Sequence, residues 1–239
     1  MKPLVRWIIG PVKKQGFNCL KKSIESFSKI YTNLDLMICH NQLNEKQIDF
    51  IKSLGVFVYE QIYTKGIEPK GVAWKLYPPR LRIDTHEIII DNDIIIEKRI
   101  PQIEEFLTTD STLIYEAGKP MYGKFSKFVP KTPFVNSGIY GMPPGFNLEK
   151  KMNFYLKSLK QTEWHNSCNQ GRYTWDEQGI IAACLLNHPK HLLIKLDQIT
   201  NCEIDLDDDK MGMHFVGLNR YAKQKPWMEW KMKNLKIFI

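Results

Sequence analysis

Cysteine is scarce and unpaired in this sequence: five residues, an odd number, with no CxxC spacing. Cys19, Cys39, Cys168, Cys184 and Cys202 are scattered, which excludes a disulfide framework and fits thiols that stay reduced. Long hydrophobic runs are missing too, and no stretch is long enough to span a bilayer. The N-terminal MKPLVRWIIGP begins basic and apolar, but Arg6 and Gly10-Pro11 break it short of a secretory signal. No Asn-x-Ser/Thr sequon, internal repeat or low-complexity tract occurs. The expectation from these absences is a cytoplasmic protein. There is no P-loop, GxGxxG or GxSxG either, so kinase, Rossmann dehydrogenase and serine hydrolase readings lack their motifs. Acidic residues are outnumbered 26 to 34 by Lys and Arg, giving a formal charge of +8. That balance points to anionic partners: nucleotides, phosphorylated glycans, nucleic acid or an anionic membrane face.

What is present reads as one α/β domain over 1–239, with 43% hydrophobic and 25% charged residues. Leu4–Ile9 predicts a strand closed by Gly10-Pro11, and Phe17–Ile30 carries apolar residues at helical spacing. LDLMICH (34–40) predicts a second, buried strand, NEKQIDFIKSLG a helix capped by Asn44 and stopped at Gly55, and VFVYEQI (56–62) a third strand. This alternation is that of a doubly wound, mostly parallel sheet. Beyond a Gly/Pro-rich loop, VAWKLYPPRLRI predicts a short helix interrupted at Pro78-Pro79. Helices are expected over Pro101–Leu107, Leu148–Leu159 and 175–188, and strands over Leu113–Glu116 and 191–196.

The most informative stretch is HEIIIDNDIIIEKR (86–99). Isoleucines on both sides predict a strand buried on both faces, yet Asp91 and Asp93 interrupt it. Buried carboxylates need a solvated strand end, a basic partner or a cation. Two carboxylates spaced i, i+2 at a strand's carboxyl end suit Mn²⁺ or Mg²⁺ holding a diphosphate. The later cluster EIDLDDDKMGMHF is no calcium loop, because Lys210 and Val216 stand where glycine and glutamate are needed. HNSC and CLLNHPKH bring histidine and cysteine together, but without the paired knuckle of a zinc site. In MHFVGLNRYAKQKPW (213–227), His214 could ligate a metal, Gly217 admit a phosphate and Lys225 balance developing charge.

Together, DND (91–93), FVNSGIYGMP (134–143), WDEQGIIAACL (175–185) and HFVGLNRYAKQKPW (214–227) resemble, in content and order, metal-dependent GT-A glycosyltransferases, most closely the family 8 type. The resemblance implies a GT-A (nucleotide-diphospho-sugar transferase) domain in which Asp91, Asp93 and His214 hold Mn²⁺ (or Mg²⁺). It implies that Gly217 and Lys225 contact the donor diphosphate, with Asn92 beside them. Asn136 and Gln178 would lie near the donor sugar or acceptor, and Asp176 and Glu177 beside them, where the family's Asp-Gln-Asp reads Asp-Glu-Gln. Lys75 and Arg80, with Trp74, precede the DxD strand where related enzymes place basic residues near the phosphates. The implied partners are a nucleoside diphosphate sugar, a UDP-sugar favoured, and a glycan or glycolipid acceptor, with no nucleic acid. Retention of configuration follows from the resemblance; an inverting enzyme would take Asp176 or Glu177 as base. A nucleotidyltransferase, with GPVKKQG (10–16) as its basic loop, and a non-catalytic module binding polyanions are the alternatives. The basic aromatic tail 226–239 is expected either to touch an anionic membrane or to cap the domain as a last helix.

Overall fold

The hexapeptide Leu4–Ile9 forms β1 with all six side chains buried, as a parallel strand covered on both faces must be. The computed structural model describes residues 1–10, 12–61, 76–159, 176–201, 209–215 and 226–237. Helix α1 (Lys14–Ile30) follows, then β2 (Asp35–His40), α2 (Glu45–Ser53) and β3 (Phe57–Glu60). A full capping box starts α2: the Asn44 side chain accepts from Gln47 N–H and the Gln47 side chain accepts from Asn44 N–H. Gly55, at φ +74°, ends that unit in a conformation glycine adopts without strain.

Next come β4 (Glu87–Ile90), β5 (Ile94–Ile96), α3 (Pro101–Phe106), β6 (Thr112–Glu116), a 3₁₀ turn (Gly123–Phe128) and β7 (Val135–Met142). The chain ends with α4 (Leu148–Ser158), α5 (Asp176–Leu186), β8 (His191–Ile194), β9 (Ile199–Thr200), β10 (Gly212–His214) and α6 (Pro226–Asn234). The seven-stranded sheet has the order β3-β2-β1-β4-β7-β6-β8. All its neighbours pair in parallel except β7, which runs against both β4 and β6. A second sheet, β5-β10-β9, stands beside it.

Alternation along each strand divides the core. Val5, Trp7 and Ile9 of β1 and Ile88 and Ile90 of β4 face α1 and α3, while Ile8 and Ile89 face α4 and α5. Each such side chain, fully buried, contributes about 1.5–3 kcal/mol of transfer free energy. Helix α5 is buried on every side, from Asp176 to Leu186, so its apolar residues show no stripe. A third cluster joins Cys19, Ile95, Met213 and Phe215 to Met228 and Met232 of α6.

One sequence expectation needs correction. The isoleucine run is two strands in two sheets, because the chain leaves the large sheet at Asp91 and enters the small one at Ile94. Of VAWKLYPPRLRI, residues 72–75 lie outside the described residues; Leu76 is in a 3₁₀ position, and bends and turns follow, with a cis bond at Tyr77-Pro78. These turns are tied to the sheet by a buried ion pair, Arg6 Nε to Glu87 Oε1 at 2.7 Å. Glu87 Oε2 accepts from Leu81 and Arg82 N–H, and Arg6 Nη2 donates to the Pro79 carbonyl. Burial alone would lower the Arg6 pKa, but the Glu87 carboxylate reverses that and leaves it raised.

Candidate active site

Asp91 and Asp93 sit at the carboxyl end of β4, on the reversal between the two sheets. The Asp91 N–H donates to the Gly138 carbonyl of β7, and the Asp91 carbonyl accepts from Ile94 N–H, closing the turn. Asn92 points its amide the other way, donating to the Gly16 carbonyl at 3.2 Å and fastening the turn to α1. His214 arrives from the small sheet: it pairs with Ile94 across β10 and β5, and the Phe215 N–H donates to the Asp93 carbonyl. The result is a cluster in which ligand atoms of Asp91, Asp93 and His214 all lie within 4.8 Å of one another. His214 Nε2 is 3.4 Å from Asp93 Oδ1, and His214 is buried.

Two carboxylate oxygens and an imidazole nitrogen form a donor set suited to Mn²⁺ or Mg²⁺. Metal–oxygen bonds of about 2.1 Å place ligands of one ion about 3–4 Å apart, and the 3.4 Å between His214 Nε2 and Asp93 Oδ1 falls in that range. His214 Nδ1 is buried with no hydrogen-bond partner among the described residues, which leaves the ring's orientation to packing. The Tyr115 ring packs against it at 5.9 Å, and Tyr115 OH donates to the Ile199 carbonyl of β9, beside β10. Cys19 lies close by. Burial raises its thiol pKa and the Asp93 charge raises it further, so it stays protonated.

Strand β7 forms the other wall. Its pairing with β6 slips between Ile114 and Tyr115: Ile114 faces Tyr140, but Tyr115 faces Asn136. Ser137, Gly138 and Ile139 therefore bulge out of that ladder, the local device by which sheets re-aim side chains at sites. Asn136 Oδ1 accepts from Gly138 N–H at 2.6 Å. A Cβ on Gly138 would lie 2.8 Å from both Asn136 Oδ1 and His214 Cε1, so Asn136 and His214 meet over this glycine. Ser137 connects to α5: its Oγ donates to Glu177 Oε1 at 2.9 Å, and Gln178 Oε1 stands 3.5 Å from its N–H. Gln178 Nε2 donates to the Met121 carbonyl.

The expected site residues thus divide. Asp91, Asp93, His214 and Asn136 are brought together, and Glu177 and Gln178 adjoin them through Ser137. Asp176 faces the 3₁₀ turn instead: its Oδ1 accepts from Lys124 N–H at 2.8 Å, and Lys124 Nζ is 3.7 Å from Oδ2. Arg80 stands apart from the cluster. Its guanidinium donates to the carbonyls of Arg82, Pro143, Phe146 and Thr85, at the amino end of β4 and about 13 Å along the strand from Asp91. Burial lowers its pKa. These contacts hold the loop before β4 against the loop after β7. Lys75, Gly217 and Lys225 lie outside the described residues, as do Trp74 and the acidic stretch 202–208. Among the described residues no second cluster of metal ligands occurs, and Cys184 is buried in α5. Sequence reasoning missed Ser137, Gly138 and Tyr115; a glycine inside an apolar strand was the one signal available.

No protein-family model and no curated protein matches the chain in sequence. Solved structures do match in shape. The galactosyltransferase LgtC, in complex with donor and acceptor sugar analogs, superposes with TM-score 0.60 at 8% identity, covering 98% of this chain and 94% of that one. The fold is that of the GT-A glycosyltransferases. Further GT-A likenesses are the glycosyltransferase GlyE of Streptococcus pneumoniae (TM-score 0.62, 10% identity, 98% of this chain, 64% of that one) and the bifunctional WbbM (0.66, 11%, 98% and 49%). The chain spans about half the length of WbbM. In the GT-A frame the cluster lies at the carboxyl end of β4, beside β1. There the strand order turns from β1-β2-β3 on one side to β4 on the other, the crevice in which open α/β sheets hold ligands.

Proposed function

We propose that the chain is a metal-dependent glycosyltransferase, of the family 8 type, moving a sugar from a nucleoside diphosphate donor, a UDP-sugar favoured, to a hydroxyl of a glycan or glycolipid. The observation that carries this reading is the convergence of Asp91, Asp93 and His214 from two sheets at the switch point of a GT-A fold. Mn²⁺ or Mg²⁺, when bound, supplies Lewis-acid stabilisation of the departing diphosphate. The two carboxylates and the imidazole hold that cation. Asn92 keeps the carboxylates' turn against α1, and Asn136 and Gln178 face the donor sugar or acceptor. Gly217 and Lys225 are assigned to the diphosphate, Lys225 balancing the charge that grows on it. Transfer with retention is the reading taken for the reaction. The 239 residues form one catalytic domain in this reading, with α6 as its cap.

The test is donor turnover. With Mn²⁺, the full chain is expected to hydrolyse one member of a panel of UDP-sugars slowly without acceptor. Asp93→Asn is expected to lower that rate about a hundredfold or more while the protein stays folded. Wild-type turnover by Asp93→Asn at limiting Mn²⁺ contradicts the metal role. Pyrophosphate release from a nucleoside triphosphate would point to a nucleotidyltransferase instead.

A further inference from the structure

Basic runs free of acid recur along the sequence, as in Met1–Ile24 with six Lys and Arg, and one of them lies beside the candidate site. From Ala117 to Leu148 the sequence holds no aspartate, glutamate, arginine or histidine, but four lysines: Lys119, Lys124, Lys127 and Lys131. Several lysines outside the segment stand beside acids, as in Lys22–Glu25, Lys190–Asp110, Lys195–Glu116, Lys231–Glu97 and Lys233–Glu229, and within it Lys124 Nζ is 3.7 Å from Asp176 Oδ2. Lys127 and Lys131 are exposed, and the contact recorded for Lys127 is with the ring of Phe128 at 5.0 Å.

Topology places this segment on the functional edge. Strands β4 and β6 both run against β7, so they point the same way and end at the same edge of the sheet. The connection 117–134 leaves β6 at that edge, where β4 delivers Asp91. It is held there by α5: Gln178 donates to the Met121 carbonyl, Asp176 accepts from Lys124 N–H, and Asn187 donates to the Phe128 carbonyl. The crevice at the switch point lies on the β1 side of the cluster, whereas this segment lies on the β7-β6 side. A donor nucleotide in the crevice leaves the lysines to whatever molecule approaches from the other side.

We propose that segment 117–134 is an anion-recognition surface for the acceptor, so that the acceptor is a glycan bearing a phosphate or carboxylate group. The assignment rests on the transferase reading above. Exposed lysines attract a neutral sugar no better than water does, and an acid-free run of them beside a site raises the local concentration of anionic substrate.

The experiment uses the full chain, Mn²⁺ and the UDP-sugar it hydrolyses, with three acceptors: a neutral disaccharide, its phosphate monoester and its uronic acid counterpart. At least one anionic acceptor is expected to show about tenfold higher kcat/KM than the neutral one; which of the two does so identifies the group. In the double variant Lys127→Gln/Lys131→Gln, donor hydrolysis and the KM for the neutral sugar are expected to stay unchanged. The KM for the anionic acceptor should rise about fivefold, the effect of losing two exposed ion pairs. Equal use of all three acceptors, or an unchanged anionic KM in the variant, overturns the proposal. It is also overturned if the variant loses binding to a DNA duplex but not its acceptor preference. Absence of donor hydrolysis by the wild type overturns the transferase reading separately. A binding isotherm with the phosphorylated disaccharide then decides the surface itself: binding weakened by the variant supports it, and no binding rejects it.

Discussion

Gly138 shows how tightly single residues define the site. It sits in the β7 bulge, its carbonyl accepts from Asp91 N–H, and its missing side chain is the space in which Asn136 and His214 meet. A methyl there lies 2.8 Å from each, closer than real Cβ contacts come. The His214 ring is buried and has little room to move aside. Gly138→Ala should therefore cost about 1–3 kcal/mol of stability through overpacking. Its Mn²⁺ affinity should fall about tenfold as His214 is pushed off its position, which titration calorimetry on the folded variant measures. Affinity equal to wild type would show that His214 does not depend on that space. At this scale the sequence was partly legible. Asp91 and Asp93 stood out because charge among isoleucines needs an explanation, and His214 because apolar residues flank it. A linear sequence does not show that the Asn92 amide also donates to the Gly16 carbonyl, or the Arg80 guanidinium to carbonyls of the loop after β7.

At the scale of elements, α5 and the 3₁₀ turn act as one unit. Gly123 has φ +49° and a Cβ there would lie 1.9 Å from Asp176 Oδ1; a Cβ on Gly179 would lie 2.0 Å from the Tyr122 carbonyl oxygen. In an open helix, glycine to alanine is worth about 1 kcal/mol of stabilisation. Here the contact is with backbone, which cannot rotate away, so the steric cost wins. Gly179→Ala is expected to destabilise the protein by about 3 kcal/mol or more in urea unfolding, and a gain in stability would refute the packing described. The helices and parallel strands of the first half were readable because hydrophobic period and caps agree there: Leu4–Ile9, the Asn44 cap and the Gly55 stop fall where expected. Strand β7 was not readable, since Asn136-Ser137-Gly138 looks like a turn and its pairing partner β4 lies more than forty residues earlier. The division of the isoleucine run was hidden for the same reason: both halves are equally buried, and only tertiary pairing tells them apart. Helix α6 packs on the domain, one of the two expectations for the tail. Met228 and Met232 are buried there, Trp227 packs against the same cluster with its ring 6.3 Å from that of Phe215, Trp230 is 60% exposed, and Lys231 pairs with Glu97.

For the whole molecule, two sheets meet at one reversal, and that meeting is what makes a site. The large sheet brings the Asp-Asn-Asp turn to its carboxyl edge, and the small sheet folds back to place His214 against it. Neither sheet holds the three ligands alone. No helix among the described residues is long and apolar enough to cross a membrane. The central claim is that Asp91, Asp93 and His214 form one divalent-cation site, and Mn²⁺ binding to the full chain tests it most directly. Titration with UDP present, followed by the electron paramagnetic resonance signal of free Mn²⁺, should show one bound ion per chain. Asp91→Asn and His214→Ala, each with a wild-type circular dichroism spectrum, should each weaken that binding tenfold or more. One ion bound with equal affinity by wild type and both variants would contradict the account.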